Sequence, residues 1–585
     1  MNRLVALFEV DLRALAAMRV LAAMTFLWIL FVWALDLSFL FTDAGALPRD
    51  ALTDAPGYKR FSILVWLDGY WIALALWLAS LAAATALLFG FRSRLAAFVV
   101  LVIYLTFLGR NPMIMQGGDV LLPLLLFWMA VLPIGAVWSV DAALAEDRRG
   151  ERICNIATVG LLLQVLYVYV FGALLKTSPV WWPDGTAVYV ALHIDSFVTP
   201  LGRILREFGW MMALLTWFVY LIELWSPVLL FVPDRLQRVR AATWALLVAM
   251  HLGFRVFLHI GHFWLSSLTS LCAFIPHALW DWLGRYAYAP GTERIRVYYD
   301  RDCGFCLKTA LIFREFFLPR SIQIEAAQDT PEIGEVLERE VSWVVIGHEG
   351  AQRLHWDAVA YVMMRSRLMR PFGLLSAIYG ASGLGKPTYD LIGRNRMRLS
   401  VFTKGLKAPK PYALGAPLKI VLGAVIAYSF LANLRHHWTP AEAVAETGYE
   451  IADAMGFTQK WDMFAPLPPT RDGFPVWEAA LSDGGSVDLV TGEALSLETP
   501  IDVVGRYETH RQRAILFRGW AGEEDLRDLI YGRFVDRACN RWNADNPDRK
   551  ALEVTARFIE SRTKANYEDE KTVRTFFTRP CPPSE

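Results

Sequence analysis

The sequence predicts a polytopic α-helical membrane protein of about nine spans, with a small α/β domain inserted before the last span and an α+β cap after it. Three observations carry this reading. The 585-residue chain is 55% hydrophobic, with a mean hydropathy of +0.34, too apolar for an ordinary soluble enzyme and too long for one domain. Nine stretches approach the roughly 20 apolar residues that a helix needs to cross a ~30 Å hydrocarbon core. Two regions, 290–410 and 436–585, instead carry the mixed polar and apolar patterns of water-exposed folds.

The apolar stretches lie at 15–40, 72–91, 94–109, 120–139, 154–175, 209–232, 241–260, 263–283 and 416–434. The first is too long for a cleaved signal peptide, so a retained N-terminus is expected. This divides the chain into a membrane domain of eight spans (1–289), an insert (290–410), a ninth helix (411–435) and a C-terminal cap (436–585). Lys and Arg of short loops stay on the cytoplasmic side. Arg3 and Arg13 precede the first span, Arg92 and Arg94 the third, Arg148, Arg149 and Arg152 the fifth, and Arg235, Arg238 and Arg240 the seventh. Every second loop is basic. A multi-pass protein of the cell inner membrane is expected, with N-terminus and insert cytoplasmic and the cap extracytoplasmic.

Charge excludes one class of partner. With 58 basic residues against 57 acidic ones, the net charge is +1, and no basic stripe suggests nucleic-acid binding. Six cysteines do not make a disulfide framework. By sidedness, Cys303 and Cys306 face the reducing compartment, whereas Cys539 and Cys581 face outward, where a disulfide persists if the two meet.

The insert opens with the β-like run RIRVYYD (294–300), then CGFC, then the helical pattern LKTALIFREFF (307–317), with further strands expected in SIQIEAA and VSWVVIG. At a strand-to-helix turn, free backbone N–H groups and the positive helix end favour a Cys303 thiolate, and Cys306 sits one turn on to resolve a mixed disulfide. Two unreactive packed cysteines, or a zinc site completed by His348 and His355, are the alternatives. GASGLGKP (380–387) nearly spells a phosphate loop, but Pro387 stands where Ser or Thr would hold magnesium, so no nucleotide and no metal are expected. Asp300 before CGFC, with HWDAVAYVM (355–363) and KPTYDLIGRNRMRL (386–399), resembles the DCC family of thiol-disulfide oxidoreductase-like domains. That resemblance implies a thioredoxin-like fold, with Cys303 as nucleophile, Cys306 as resolving thiol and a cytoplasmic thiol reductant as partner.

Charged residues at membrane depth are functional candidates by default. If the seventh span continues through Gly261, His251, Arg255, His259 and His262 share one narrow sector, and Glu223 on the sixth span offers Arg255 an ion partner. Lys176 follows the fifth span beside Trp181 and Trp182. There it either loses its proton to act as a base, with Arg255 close by, or snorkels to the interface. The runs GRNPMIMQGGD (109–119), WSVD (138–141), the segment from Lys176 to Ala187 and HLGFRVFLHIGHF together resemble the HTTM family, the membrane domain shared with vitamin K-dependent γ-carboxylase.

That second resemblance implies that Lys176 deprotonates a vitamin K-like membrane quinol, with His251 in the pocket. Where the carboxylase has a histidine before WSVD, this chain has glycines and Asp119. Quinone or lipid-like binding is therefore expected, and glutamate carboxylation is left open. In the cap, WDMFAPLP (461–468) resembles segments that follow HTTM domains. The functional expectation is an outward-facing quinone or lipid cavity coupled to the cytoplasmic dithiol, in contact with membrane lipid and with a protein or peptide substrate on the outer face. The rival is a non-catalytic membrane scaffold or peptide-maturation partner of the sporulation-delaying protein B type.

Overall fold

The computed structural model describes residues 3–53, 60–146, 150–435, 437–563 and 569–583; Arg148 and Arg149 of the basic loop lie outside them. Without water to satisfy the backbone, an apolar run is stable across a bilayer only when each N–H finds a carbonyl in its own segment. Among the described residues, seven helices are long and apolar enough to cross. These are α1 (Leu12–Ala34), α2 (Tyr70–Phe89), α3 (Ser93–Arg110), two described below as α5 (Ile156–Leu174) and α6 (Gly209–Leu230), then α7 (Gln237–Phe257) and, far along the chain, Ala416–Leu434.

The remaining two expected spans take other forms. Helix α4 (Gly117–Val131) has only 15 residues. Leu132 is pushed into an extended conformation (φ −93°, ψ 156°) by the Pro133 that follows it. The expected 263–283 span is broken into α8 (Phe263–Leu271), a short 3-10 turn, and α9 (His277–Tyr286), with a 96° bend. Pro276 sits at the break, where it cannot donate to a helical ladder. By length and composition, among the described residues, seven helices qualify, or eight if the bent pair is one span, against the nine expected.

Side-chain contacts sort the helix ends into two sets. The starts of α1 and α5 are joined by the Val10↔Ile153 bridge. Asp141 of WSVD accepts the backbone N–H groups of Arg92 and Ser93, both at 2.8 Å, and so caps α3 where α2 has just ended at Gly90. Arg13 binds Asp281 of α9 at 2.9 Å. The insert docks on this same end, where Glu315 accepts the Trp138 N–H at 2.6 Å and Arg320 donates to the Ala136 carbonyl at 2.9 Å. At the opposite end the C-terminal cap grips the bundle: Gln512 donates to Asp36 at 2.7 Å, and Arg511 reaches Asp119 at the start of α4. Insert and cap therefore sit at opposite ends of the bundle, and both α4 and the α8–α9 pair run from one end to the other despite their short or broken form.

The insert is a four-stranded sheet, β1 (Arg296–Tyr299), β2 (Ile324–Ala326), β3 (Val344–Ile346) and β4 (Gln352–Leu354), in the order β2-β1-β3-β4. β1 and β2 are parallel and the other pairings antiparallel. α10 (Gly304–Phe317) makes the parallel crossover, α11 (Pro331–Glu340) and α12 (His355–Arg365) follow, and α13 (Arg370–Ala381) and α14 (Gly385–Thr403) lead towards α15 (Ala416–Leu434). The cap holds an antiparallel sheet of β5 (Arg471–Leu481), β6 (Ser486–Asp488), β7 (Ala551–Thr563) and β8 (Asp569–Pro580), ordered β8-β7-β5-β6. Against it pack α17 (His510–Ala521) and α18 (Glu524–Asp545), which follow α16 (Thr439–Ala454) in the chain. Trp520 stacks on Phe558 at 5.0 Å, and Cys539 of α18 is disulfide-bonded to Cys581.

The amphipathic pattern of residues 500–575 predicts mainly helix, yet only part of the stretch is helical. Val554, Ala556 and Phe558 alternate into the core at 0% exposure, the period of two that marks a strand.

Candidate functional site

At the cap end, α5, α6 and α7 diverge around a cavity of about 730 Å³. Its floor is apolar, with Val168, Leu215, Phe218, Phe254 and Phe257 among the lining residues, and its roof comes from the cap. Lys176 lies just beyond the end of α5. It is only 7% exposed, and its Nζ donates to Glu223 Oε2 at 2.5 Å and to the Gly172 carbonyl at 3.3 Å. The Trp181 ring centroid lies 4.9 Å from that nitrogen. An apolar wall excludes the water that would otherwise solvate the ammonium, so the carboxylate supplies its compensation. Beside this pair, the Tyr169 hydroxyl and His251 Nε2 are 3.1 Å apart, and His251 Nδ1 is buried with no partner among the described residues.

The expected histidine and arginine stripe does not form. α7 ends at Phe257, Leu258 is extended (φ −136°, ψ 140°) and pairs with Val198, and Gly261 takes the left-handed region at φ +66°. The helical register that would have aligned four residues is lost at the third. His251 faces the cavity, Arg255 is exposed, and His259 spends its backbone N–H on the Phe197 carbonyl at 2.6 Å. His262 turns away to sit 3.6 Å from Asp119. Glu223 pairs with Lys176, not with Arg255. The reason is depth: Glu223 is almost fully buried, and only a cation brought inside the bundle can reach it.

Asp119 is a clamp rather than a cavity group. Its carboxylate accepts the Tyr104 hydroxyl at 2.6 Å, the Gln116 N–H at 2.8 Å and two donors of Arg511 at 2.5 and 2.9 Å. This ties α3, α4 and the cap together at one buried point.

Of the roof, sequence reasoning singled out WDMFAPLP but not the side chains of α17 and β5. Trp461, Asp462, Met463 and Phe464 of WDMFAPLP line the cavity, and the Trp181 indole donates to the Phe464 carbonyl at 3.1 Å. α17 adds His510, Arg513, Phe517 and Arg518, and β5 adds Arg471. The signal was present in HRQRAILFR, where 510, 513, 514 and 517 recur at three and four residues and so share one helix face. Burial, then the neighbouring Arg513 and Arg511, holds His510 neutral, far below the usual imidazole range.

At the other end of the bundle, Cys303 and Cys306 are free thiols, 2% and 7% exposed. Cys303 sits at the mouth of α10, and its sulfur accepts the Cys306 N–H at 3.3 Å. Burial and then the adjacent Cys303 push the Cys306 thiol well above its ordinary value. Asp300 is buried beneath the turn, with Arg396 and Gln328 each 2.8 Å from it.

Residues 10–282 match the HTTM domain family model. The HTTM match relates the membrane half of the chain to vitamin K-dependent carboxylase-like membrane proteins, and it contains Lys176, Glu223, Tyr169 and His251. It ends before the insert and the cap, so the cavity roof lies outside the HTTM stretch. No curated protein and no solved structure matches the chain.

Proposed function

We propose that the protein is a membrane enzyme that binds a quinone or lipid-like substrate in the cap-end cavity and draws reducing equivalents from the dithiol at the other end. The observation that carries this is the Lys176–Glu223 pair, a proton donor and acceptor held in the wall of a cavity with an apolar floor, beside Tyr169 and His251. A quinol hydroxyl set against the pair can pass its proton to the carboxylate, while the Lys176 ammonium steadies the phenolate left behind.

The electron balance is simple. Two thiols lose two electrons and two protons to become a disulfide, and a quinone gains both to become a quinol. The thiols and the lysine lie at opposite ends of helices of 19 to 23 residues, about 30 Å at ~1.5 Å per residue, so a mobile quinone has to carry the charge between them. A parallel β1–α10–β2 unit with the dithiol at the helix mouth supports a thioredoxin-like insert. The free thiols at one end and the disulfide at the other support a cytoplasmic insert and an extracytoplasmic cap in a bacterial-type inner membrane, and the arginines at the insert end agree.

The test is turnover of menadione by purified protein with dithiothreitol as reductant. Cys303→Ser is expected to abolish it, and Lys176→Ala to abolish deprotonation of the quinol in the cavity while thiol-driven reduction continues; unchanged turnover in Cys303→Ser would remove the coupling. A scaffold would keep its binding partner in Lys176→Ala, with no activity to lose.

A further inference from the structure

Helix α17 brings to the cavity two guanidinium groups that, among the described residues, no carboxylate touches. The other charges at the cavity wall are matched: Lys176 by Glu223 at 2.5 Å, Arg471 by Glu560 at 2.6 Å, and Asp462 by Lys460 at 2.7 Å. Arg518 is different. Its two hydrogen bonds go to the backbone carbonyls of Met113, at 2.5 Å, and Met115, at 2.6 Å, and its side chain is exposed to the cavity.

Arg513 is 6% exposed, donates to Ser196 Oγ at 2.6 Å, and lies over the Phe197 ring at 3.8 Å. Asp472 stands one residue further out, accepting the Ser196 hydroxyl at 2.5 Å, and offsets the Arg513 charge from there. Among the described residues, Arg513 Nε is buried without a partner. Among the described residues neither arginine has a carboxylate oxygen in ion-pair contact. Burial works against the charge of Arg513, pulling its pKa below the usual guanidinium value. A buried cation left this way is costly unless an anion arrives to pair with it.

The space available limits what the anion is attached to. The cavity, of about 730 Å³, falls in the roughly 300–1,000 Å³ range of small-molecule sites, and Leu215, Phe218, Phe254 and Phe257 line it below the arginines. We propose that the cavity receives a single-chain amphiphile with an anionic head, a carboxylate or a phosphate, bound by Arg513 and Arg518, with its apolar body against Phe254 and Phe257. Planar guanidinium groups match both heads through paired N–H donors. This rests on the cavity being the ligand site, as read above, and adds the charge class of what enters it.

The experiment measures binding of radiolabelled oleate, oleyl phosphate and oleyl alcohol to the purified full-length protein in neutral detergent. At least one of the two acids is expected to bind about tenfold or more tightly than the alcohol, as a charge-assisted hydrogen bond requires. Whichever acid binds tighter names the head group. Arg518→Gln, whose lost bonds are only to carbonyls, is expected to shrink that preference, Arg513→Gln with Arg518→Gln to erase it, and Arg518→Lys to keep most of it. An alcohol that binds as tightly as both acids, or a preference unchanged in a monodisperse double variant, overturns the proposal while leaving the cavity a ligand site. Failure of all three probes to bind overturns both.

Discussion

Replacing Asp119 by leucine should detach the cap from the bundle. The change strips four hydrogen bonds from one carboxylate: one from Tyr104, one from the Gln116 backbone and two from Arg511. Arg511 and Asp119 are 3% and 1% exposed, so the abandoned guanidinium cannot turn to water. Removing one member of a buried pair costs about 3–5 kcal/mol, and Asp119→Leu is expected to fall in that range. Arg511→Met should cost a similar amount, because it strands the carboxylate instead. The double variant replaces both charges with apolar groups and should be far less damaging than the sum, with a coupling of up to about 3 kcal/mol. Thermal unfolding of the purified protein, with limited proteolysis of the cap as a second readout, measures all four corners of the cycle. Additive losses, or a cap equally protected in Asp119→Leu, would show that the clamp reading is mistaken.

Three further outcomes are expected. Lys176→Met leaves Glu223 without its cation, and quinol-dependent turnover should drop by roughly 10²–10⁴, the usual worth of a positioned proton-transfer group, while binding of a neutral quinone by equilibrium dialysis changes little. Cys539→Ser opens a disulfide whose cysteines are 42 residues apart and should lower cap stability by about 2–4 kcal/mol, read by denaturant unfolding of the reduced and oxidised protein. Because burial raises the Cys306 pKa, its thiol stays protonated well past the pH at which a free cysteine ionises. Iodoacetamide near neutral pH should therefore modify Cys303 first, and Cys306 should react only as the medium becomes strongly alkaline, as peptide mass spectrometry over a pH series would record; equal labelling of both near neutrality would contradict this.

Legibility followed the range of the interaction responsible. Helices such as α1, α2 and α5 were readable because continuous apolar composition over one segment dictates them. Reading failed where a local break overrode composition, at Pro133 for α4, at Pro276 for the α8–α9 pair and at Leu258 for the histidine stripe. β7 was missed because the amphipathic pattern of 500–575 reads as mainly helical, although Val554, Ala556 and Phe558 alternate. In the site, Lys176, Glu223 and His251 were each identifiable as polar groups at membrane depth, and their partners were not.

The sequence by itself determined the membrane character of the chain, the dithiol at the mouth of a helix and Lys176, Glu223 and His251 as polar groups at membrane depth, since each depends on composition or on spacing of a few positions. Only the tertiary structure decided that Glu223 answers Lys176, that Asp119 is a clamp, and that Arg513 and Arg518 close the cavity. Those pairings join residues from 47 to 392 positions apart, and at such separations the energy of a contact depends on where the packed helices and cap leave each side chain, which no local pattern encodes.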